Sequence, residues 1–126
     1  LKLVYEKFNN PDVNWVVNGT VHTSDMTSFF NPMVPRYNDD IHLGHNTISS
    51  PSVLAIRNKT VLKFDDKLSW LMDVDYYKSL YERYGLPEVI DDILVVNRLW
   101  EGQVSASQVT QEMIDREVSY VKEKYS

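Results

Sequence analysis

Leu1, Val4, Tyr5 and Phe8 recur at i, i+3, i+4 and i+7, the apolar stripe of a helix that stops before Asn9-Asn10-Pro11. The stripe reads as the tail of an amphipathic helix whose beginning is missing. Residues 13 to 21, VNWVVNGTV, are rich in β-branched and aromatic side chains and predict a strand, with Gly19 as a bulge. From 24 to 47 no period holds. Pro32, Pro35, Gly44 and many Asn, Asp and Ser imply a loop of a length that is uncommon in compact domains and often functional.

Ser52 to Arg57 reads as a buried strand followed by a turn at Asn58-Lys59. Tyr77, Leu80, Tyr81 and Tyr84 predict a helix from Asp73 to Tyr84, stopped by Gly85 and barred from continuing by Pro87. Residues 89 to 100, VIDDILVVNRLW, predict a strand. Ser105-Ala106-Ser107-Gln108 has the spacing of a capping box, and a last helix presents Met113, Ile114, Val118, Val121 and Tyr125 on one face. The order helix, strand, loop, strand, helix, strand, helix predicts an α/β sandwich with parallel or mixed strands, in one domain spanning residues 1–126.

Composition narrows the partners. The 126 residues carry a formal charge of −5, which argues against sequence-independent binding to nucleic acid, a process that needs clustered Lys and Arg. Fifteen large aromatic rings supply a core and disfavour disorder. No run approaches the roughly 18 apolar residues that cross a bilayer, so no transmembrane segment is expected. The absence of cysteine fits a reducing compartment, and the cytoplasm is the default expectation.

Three groups of residues carry candidate chemistry. Trp70-Leu71-Met72-Asp73-Val74-Asp75 delivers two carboxylates to the first turn of a helix, where free N–H groups and the helix dipole favour the ionised form that a general base requires. The plainer alternative is that Asp73 caps the helix and Asp75 faces water. Asn97-Arg98-Leu99-Trp100-Glu101-Gly102-Gln103 is a strand end entering a Gly-containing loop. There the planar fork of Arg98 suits a diphosphate, or else pairs with Asp91, Asp92 or Glu101. His42 and His45 sit three apart in a loop beside Asp39 and Asp40, but without a recognised zinc spacing, and no metal site is assigned to them. The pairs Asp39-Asp40, Asp65-Asp66 and Asp91-Asp92 read as solvated or capping residues.

Read in order, NTISSPSVLAIRN, KFDDKLSWLMDVDYYKSLYERYG, IDDILVVNRLWEGQVS and a closing helix ending in KEKY resemble the C-terminal, acceptor-side half of a family 2 glycosyltransferase of the GT-A fold. The likeness covers about residues 45 to 125, and Trp15-Val16-Val17-Asn18-Gly19 is similar to the strand before that family's acceptor region. The resemblance implies a partial GT-A-like mixed sheet flanked by helices. It implies transfer of a sugar, with inversion, from a nucleotide-sugar donor to a hydroxyl of a glycan or other acceptor. Asp73 would be the base and Asp75 would support it or touch acceptor hydroxyls. Arg98 and Gln103 would close over the donor diphosphate, and Asn46, Ser49 and Ser50 would lie near acceptor or sugar. Trp70 and Trp100 would offer faces for sugar stacking. A Mn2+ or Mg2+ ion would be bound mainly by an upstream half of the family fold that this chain lacks, and Trp100 stands near a place where many relatives carry histidine. Two readings stand beside this one: a non-catalytic sugar- or partner-binding α/β module, and an interaction domain that forms homo-oligomers.

Overall fold

The computed structural model describes residues 1–59, 62–100 and 108–126. Its elements run α1 (Lys2–Lys7), β1 (Trp15–Thr23), β2 (Phe30–Met33), short 3-10 turns at Ile41–Leu43 and Pro51–Val53, β3 (Leu54–Ile56), α2 (Met72–Tyr84), β4 (Glu88–Arg98) and α3 (Gln111–Lys124). The chain is thus a mixed α/β structure, a four-stranded sheet with helices packed around it. Among the described residues no helix is long and apolar enough to cross a membrane.

Strand β1 is the axis of the sheet. β4 runs parallel to it along one edge, from Val16 beside Glu88 to Thr23 beside Arg98. Two short antiparallel strands share the opposite edge, β3 against Trp15–Val17 and β2 against Thr20 and His22. The expectation of mixed strands therefore holds. Having neighbours on both edges, β1 is buried from Trp15 through Thr20, as its β-branched and aromatic composition requires. Gly19 is the predicted bulge. The register with β4 shifts on both sides of it, and a Cβ there would stand 2.9 Å from the Asp92 carbonyl oxygen.

The long loop between β1 and β3 is not structureless: it holds β2 and the Ile41–Leu43 turn. β2 escapes a pattern search because its four residues are exposed or half-buried on an edge and include Pro32, which an edge strand tolerates. The strand predicted at 52–57 is also corrected. Only Leu54–Ile56 is extended, and it is half-buried to exposed rather than buried, the apolar Val53 before it lying in a 3-10 turn. The proposed capping box at 105–108 falls largely outside the described residues. The last helix is capped by Thr110, whose hydroxyl accepts the Met113 N–H at 3.2 Å.

The core lies between one face of the sheet and the helices. Trp15 stacks on Tyr77 of α2 at 6.4 Å between ring centroids and donates its indole N–H to the Gly85 carbonyl at 2.9 Å. Val17, Val74, Leu80 and Val121 close around them. The Ile41–Leu43 turn packs on both α2 and α3, with Ile41 fully buried. Arg57, beyond β3, holds the N-terminal segment by donating to the carbonyls of Phe8, Asn10 and Val13 while its guanidinium lies over the Phe8 ring.

Candidate functional site

The start of α2 is built by tertiary contacts rather than by local capping. Leu71 occupies the N-cap position and has no polar side chain to offer, and the N–H groups of the two residues leading into it, together with its own, are buried donors that need an acceptor. Glu117 of α3 supplies it. Its carboxylate is 1% exposed and accepts from the N–H groups of Ser69, of Trp70 at 2.9 Å and of Leu71 at 3.3 Å. Trp70 is half-buried, and its ring edge lies so close to Gly44 that a Cβ there would sit 3.0 Å from it. Gly44 takes φ +101°, a conformation that glycine adopts without strain.

Asp73 follows in the first turn of α2, half-buried, with its Oδ1 accepting the Val74 N–H at 2.8 Å. Burial pushes its carboxyl above the usual carboxylate range despite that hydrogen bond. One turn on, Tyr77 is fully buried and its hydroxyl is pushed far up, first by burial and then by the charge of Asp73. That hydroxyl donates to the Ser49 carbonyl at 2.7 Å. Ser49 stands at φ +96°, a left-handed conformation that costs a non-glycine residue about 1–3 kcal/mol and persists only where surroundings impose it. The surroundings here are explicit. Asn97, near the end of β4, donates to the Ser49 hydroxyl at 3.0 Å, and Asn46 accepts the Ile48 and Ser49 N–H groups at 3.0 and 2.9 Å.

Ser49 thus gathers Asn46, Tyr77 and Asn97, the last from the strand end that leads to Arg98 and Trp100, and Asp73 lies one turn before Tyr77 with its charge felt at that hydroxyl. Ser50 begins the turn at Pro51–Val53 next to Ser49. Arg98 is exposed, and Trp100 is 61% exposed, open enough to serve as a stacking platform. Gln103 lies outside the described residues.

Asp75 belongs to a different setting. It is 2% exposed, and its carboxylate takes Lys124 at 3.0 Å on both oxygens and the Tyr125 hydroxyl at 2.8 Å. Of the two roles that the resemblance implies for Asp75, contact with acceptor hydroxyls does not suit a carboxylate so buried and so partnered, which leaves support of the helix that carries Asp73; the plain expectation that Asp75 faces water fails as well. Asp65 is also structural, accepting from Tyr120, Lys124 and the Lys67 N–H.

The histidine pair separates in the fold. His42 turns inward, edge-on to Tyr125 at 5.2 Å, and burial followed by the charge of Lys78 lowers its pKa, whereas His45 is exposed. Among the described residues no group of three His, Asp or Glu side chains converges as a metal site would require, and Asp75 is committed to Lys124.

Tyr77, Asn97 and Glu117 were not among the residues singled out from the sequence. For Glu117 a signal exists: it falls three after Ile114 and four before Val121, a lone carboxylate inside the apolar stripe of α3, and such a charge has to find buried donors. Tyr77 reads as one more apolar residue of α2, and nothing local marks Asn97. Compared with known proteins, the chain matches no family model, no curated protein and no solved structure.

Proposed function

We propose that this chain supplies the acceptor-side half of an inverting glycosyltransferase with a GT-A-like fold, and that Asp73 is its general base. The observation that carries the reading is the placement of Asp73: a half-buried carboxylate with a raised pKa, one turn before Tyr77, whose hydroxyl bonds the strained Ser49 that Asn46 also holds. A carboxylate shielded from water is a stronger base than a solvated one, and hydroxyl and amide groups nearby suit a polyhydroxylated acceptor.

In this mechanism the acceptor oxygen forms a bond to the anomeric carbon of a nucleotide-sugar from the face opposite the diphosphate. The bond from that carbon to the diphosphate oxygen breaks, and the leaving nucleoside diphosphate keeps the electron pair. The hydroxyl proton passes to Asp73. In this reading Arg98, at the end of β4, would meet the charge that develops on the diphosphate, and Trp100 would offer its exposed ring to a sugar face. Asp75 holds the helix that carries the base.

Asp73→Asn in the intact protein tests the reading. Turnover of a nucleotide-sugar falls by about 10²–10⁴-fold with donor binding retained. Unchanged turnover in a folded Asp73→Asn protein would sink the assignment. The exposure of Trp100 also suits a sugar-binding module without catalysis. Saturable sugar binding that no nucleotide affects, together with an absence of turnover, favours that second reading.

A further inference from the structure

We infer that Glu117 is a positioning residue for Asp73, an anchor on α3 that fixes the entry of α2 and so sets where the carboxylate points; this rests on the reading of Asp73 as the base. Ser69, Trp70 and Leu71 present three consecutive N–H groups at a helix entry that lacks a side-chain cap, and all three converge on one buried carboxylate contributed from 46 to 48 residues away. Water cannot substitute readily, because Glu117 is 1% exposed and Leu71 is equally buried.

The second anchor lies on the other side of Asp73. Lys124 and Tyr125, at the end of α3, hold Asp75. Asp73 is therefore bracketed by two contacts from the same helix, Glu117 two residues before it and the Lys124–Tyr125 pair two residues after. The bracket also fixes Trp70, whose ring rests on Gly44. Releasing the Glu117 end leaves three buried N–H groups ahead of α2 without an acceptor and loosens the segment that leads into its first turn, the least stable part of a helix. Asp73 then gains water and loses its fixed direction.

Glu117→Gln is the decisive variant because it keeps the side-chain volume while placing an NH2 donor against backbone donors. Two measurements on the intact protein go with it: the titration of the Asp73 carboxyl, followed by carbon-13 NMR, and the kcat and KM for a nucleotide-sugar. The expected result is a folded Glu117→Gln protein whose Asp73 titrates at lower pH than in the wild type, with kcat reduced about tenfold or more and KM for the donor unchanged. A residue that only adds stability would lower Tm and leave both the Asp73 midpoint and kcat where they were, and that outcome overturns the inference. Should Glu117→Gln fail to fold, Glu117→Asp, which keeps the charge but withdraws it by one methylene, serves the same comparison. Failure of both to fold overturns the inference by making Glu117 purely structural. Asp73→Asn, run alongside, separates the two ideas. Wild-type turnover in Asp73→Asn rejects the base, while the Asp73 titration still reports whether Glu117 positions that carboxylate.

Discussion

Lys124 donates to both carboxylate oxygens of Asp75, at 3.0 Å each, joining the end of α3 to the first turn of α2. The two partners differ in exposure, 31% for the Lys124 side chain and 2% for that of Asp75, so the cost of separating them falls on the aspartate. In Lys124→Met the Asp75 charge stays buried with, among the described residues, only Tyr125 as a side-chain donor, and stability drops by about 3 kcal/mol. Adding Asp75→Asn removes the stranded charge and recovers part of that loss. Urea titration of the wild type, Lys124→Met and the double variant checks this. A Lys124→Met protein within about 0.5 kcal/mol of wild type would contradict it, since that is the scale of an exposed pair.

Asp73 has the opposite stability profile. Its folded pKa is raised by burial, so the native state holds its proton more tightly than the unfolded chain does. Between the ordinary value of 3.8 and the raised folded value the native state binds more protons, and stability falls as pH rises through that window. Asp73→Asn removes this penalty and retains a side-chain oxygen for the Val74 N–H. Thermal unfolding should therefore give a higher Tm for Asp73→Asn at pH 7 and converging Tm values near pH 3. The same substitution is expected to abolish most turnover, the trade that a functional carboxylate makes against stability.

How much of this was legible beforehand follows from the range of the forces. Helix α2 was placed to within a residue because its apolar stripe and the Gly85 stop are local, and β1 and β4 were recognised from their runs of β-branched residues. β2 was missed because Phe30–Met33 pairs only with an edge of β1 and has no periodic burial to display. At the site, the sequence pointed to Asp73, Asn46 and Ser49; Asn46 and Tyr77 both bond Ser49, while Asp73 sits one turn before Tyr77 on α2. Their connection was not legible, since it runs through Tyr77, 28 residues from Ser49, and Asn97, 48 residues from it. Asp75 misled for the same reason: its partners lie 49 and 50 residues away.

Asp65 should govern the acid limb of stability. Burial pushes its carboxyl up, but the Tyr120 hydroxyl, the Lys67 N–H and Lys124 together outweigh that and hold it at about 2, below the ordinary 3.8. The unfolded chain binds the proton first, so the stabilisation is present above 3.8 and lost as pH falls through about 2. Tyr120→Phe removes the 2.7 Å hydrogen bond to Oδ2. Carbon-13 titration should then find the Asp65 midpoint moved back toward 3.8, with acid unfolding beginning at higher pH. A midpoint still near 2 would assign the effect to Lys67 and Lys124 alone.

Gly19 tests the bulge at the centre of the sheet. Its φ is not in the left-handed region, so the reason for glycine is space: an added Cβ would stand 2.9 Å from the Asp92 carbonyl oxygen and 3.2 Å from that of Asp91. Both neighbours are backbone atoms of β4, which pairs with β1 along nearly its whole length and cannot move aside as a side-chain tip would. Gly19→Ala should therefore destabilise the chain by about 1–3 kcal/mol even though alanine is the better residue for limiting unfolded-state freedom. The damage should also reach the site, because β4 carries Asn97, and Asn97 holds the hydroxyl of the strained Ser49. Calorimetry on Gly19→Ala, with hydrogen exchange at Asn97 and Ser49, reads both effects. Full stability would mean that the strands can separate at the bulge without cost. Lost stability with unchanged protection at Asn97 and Ser49 would mean that the far end of β4 is anchored independently of its centre.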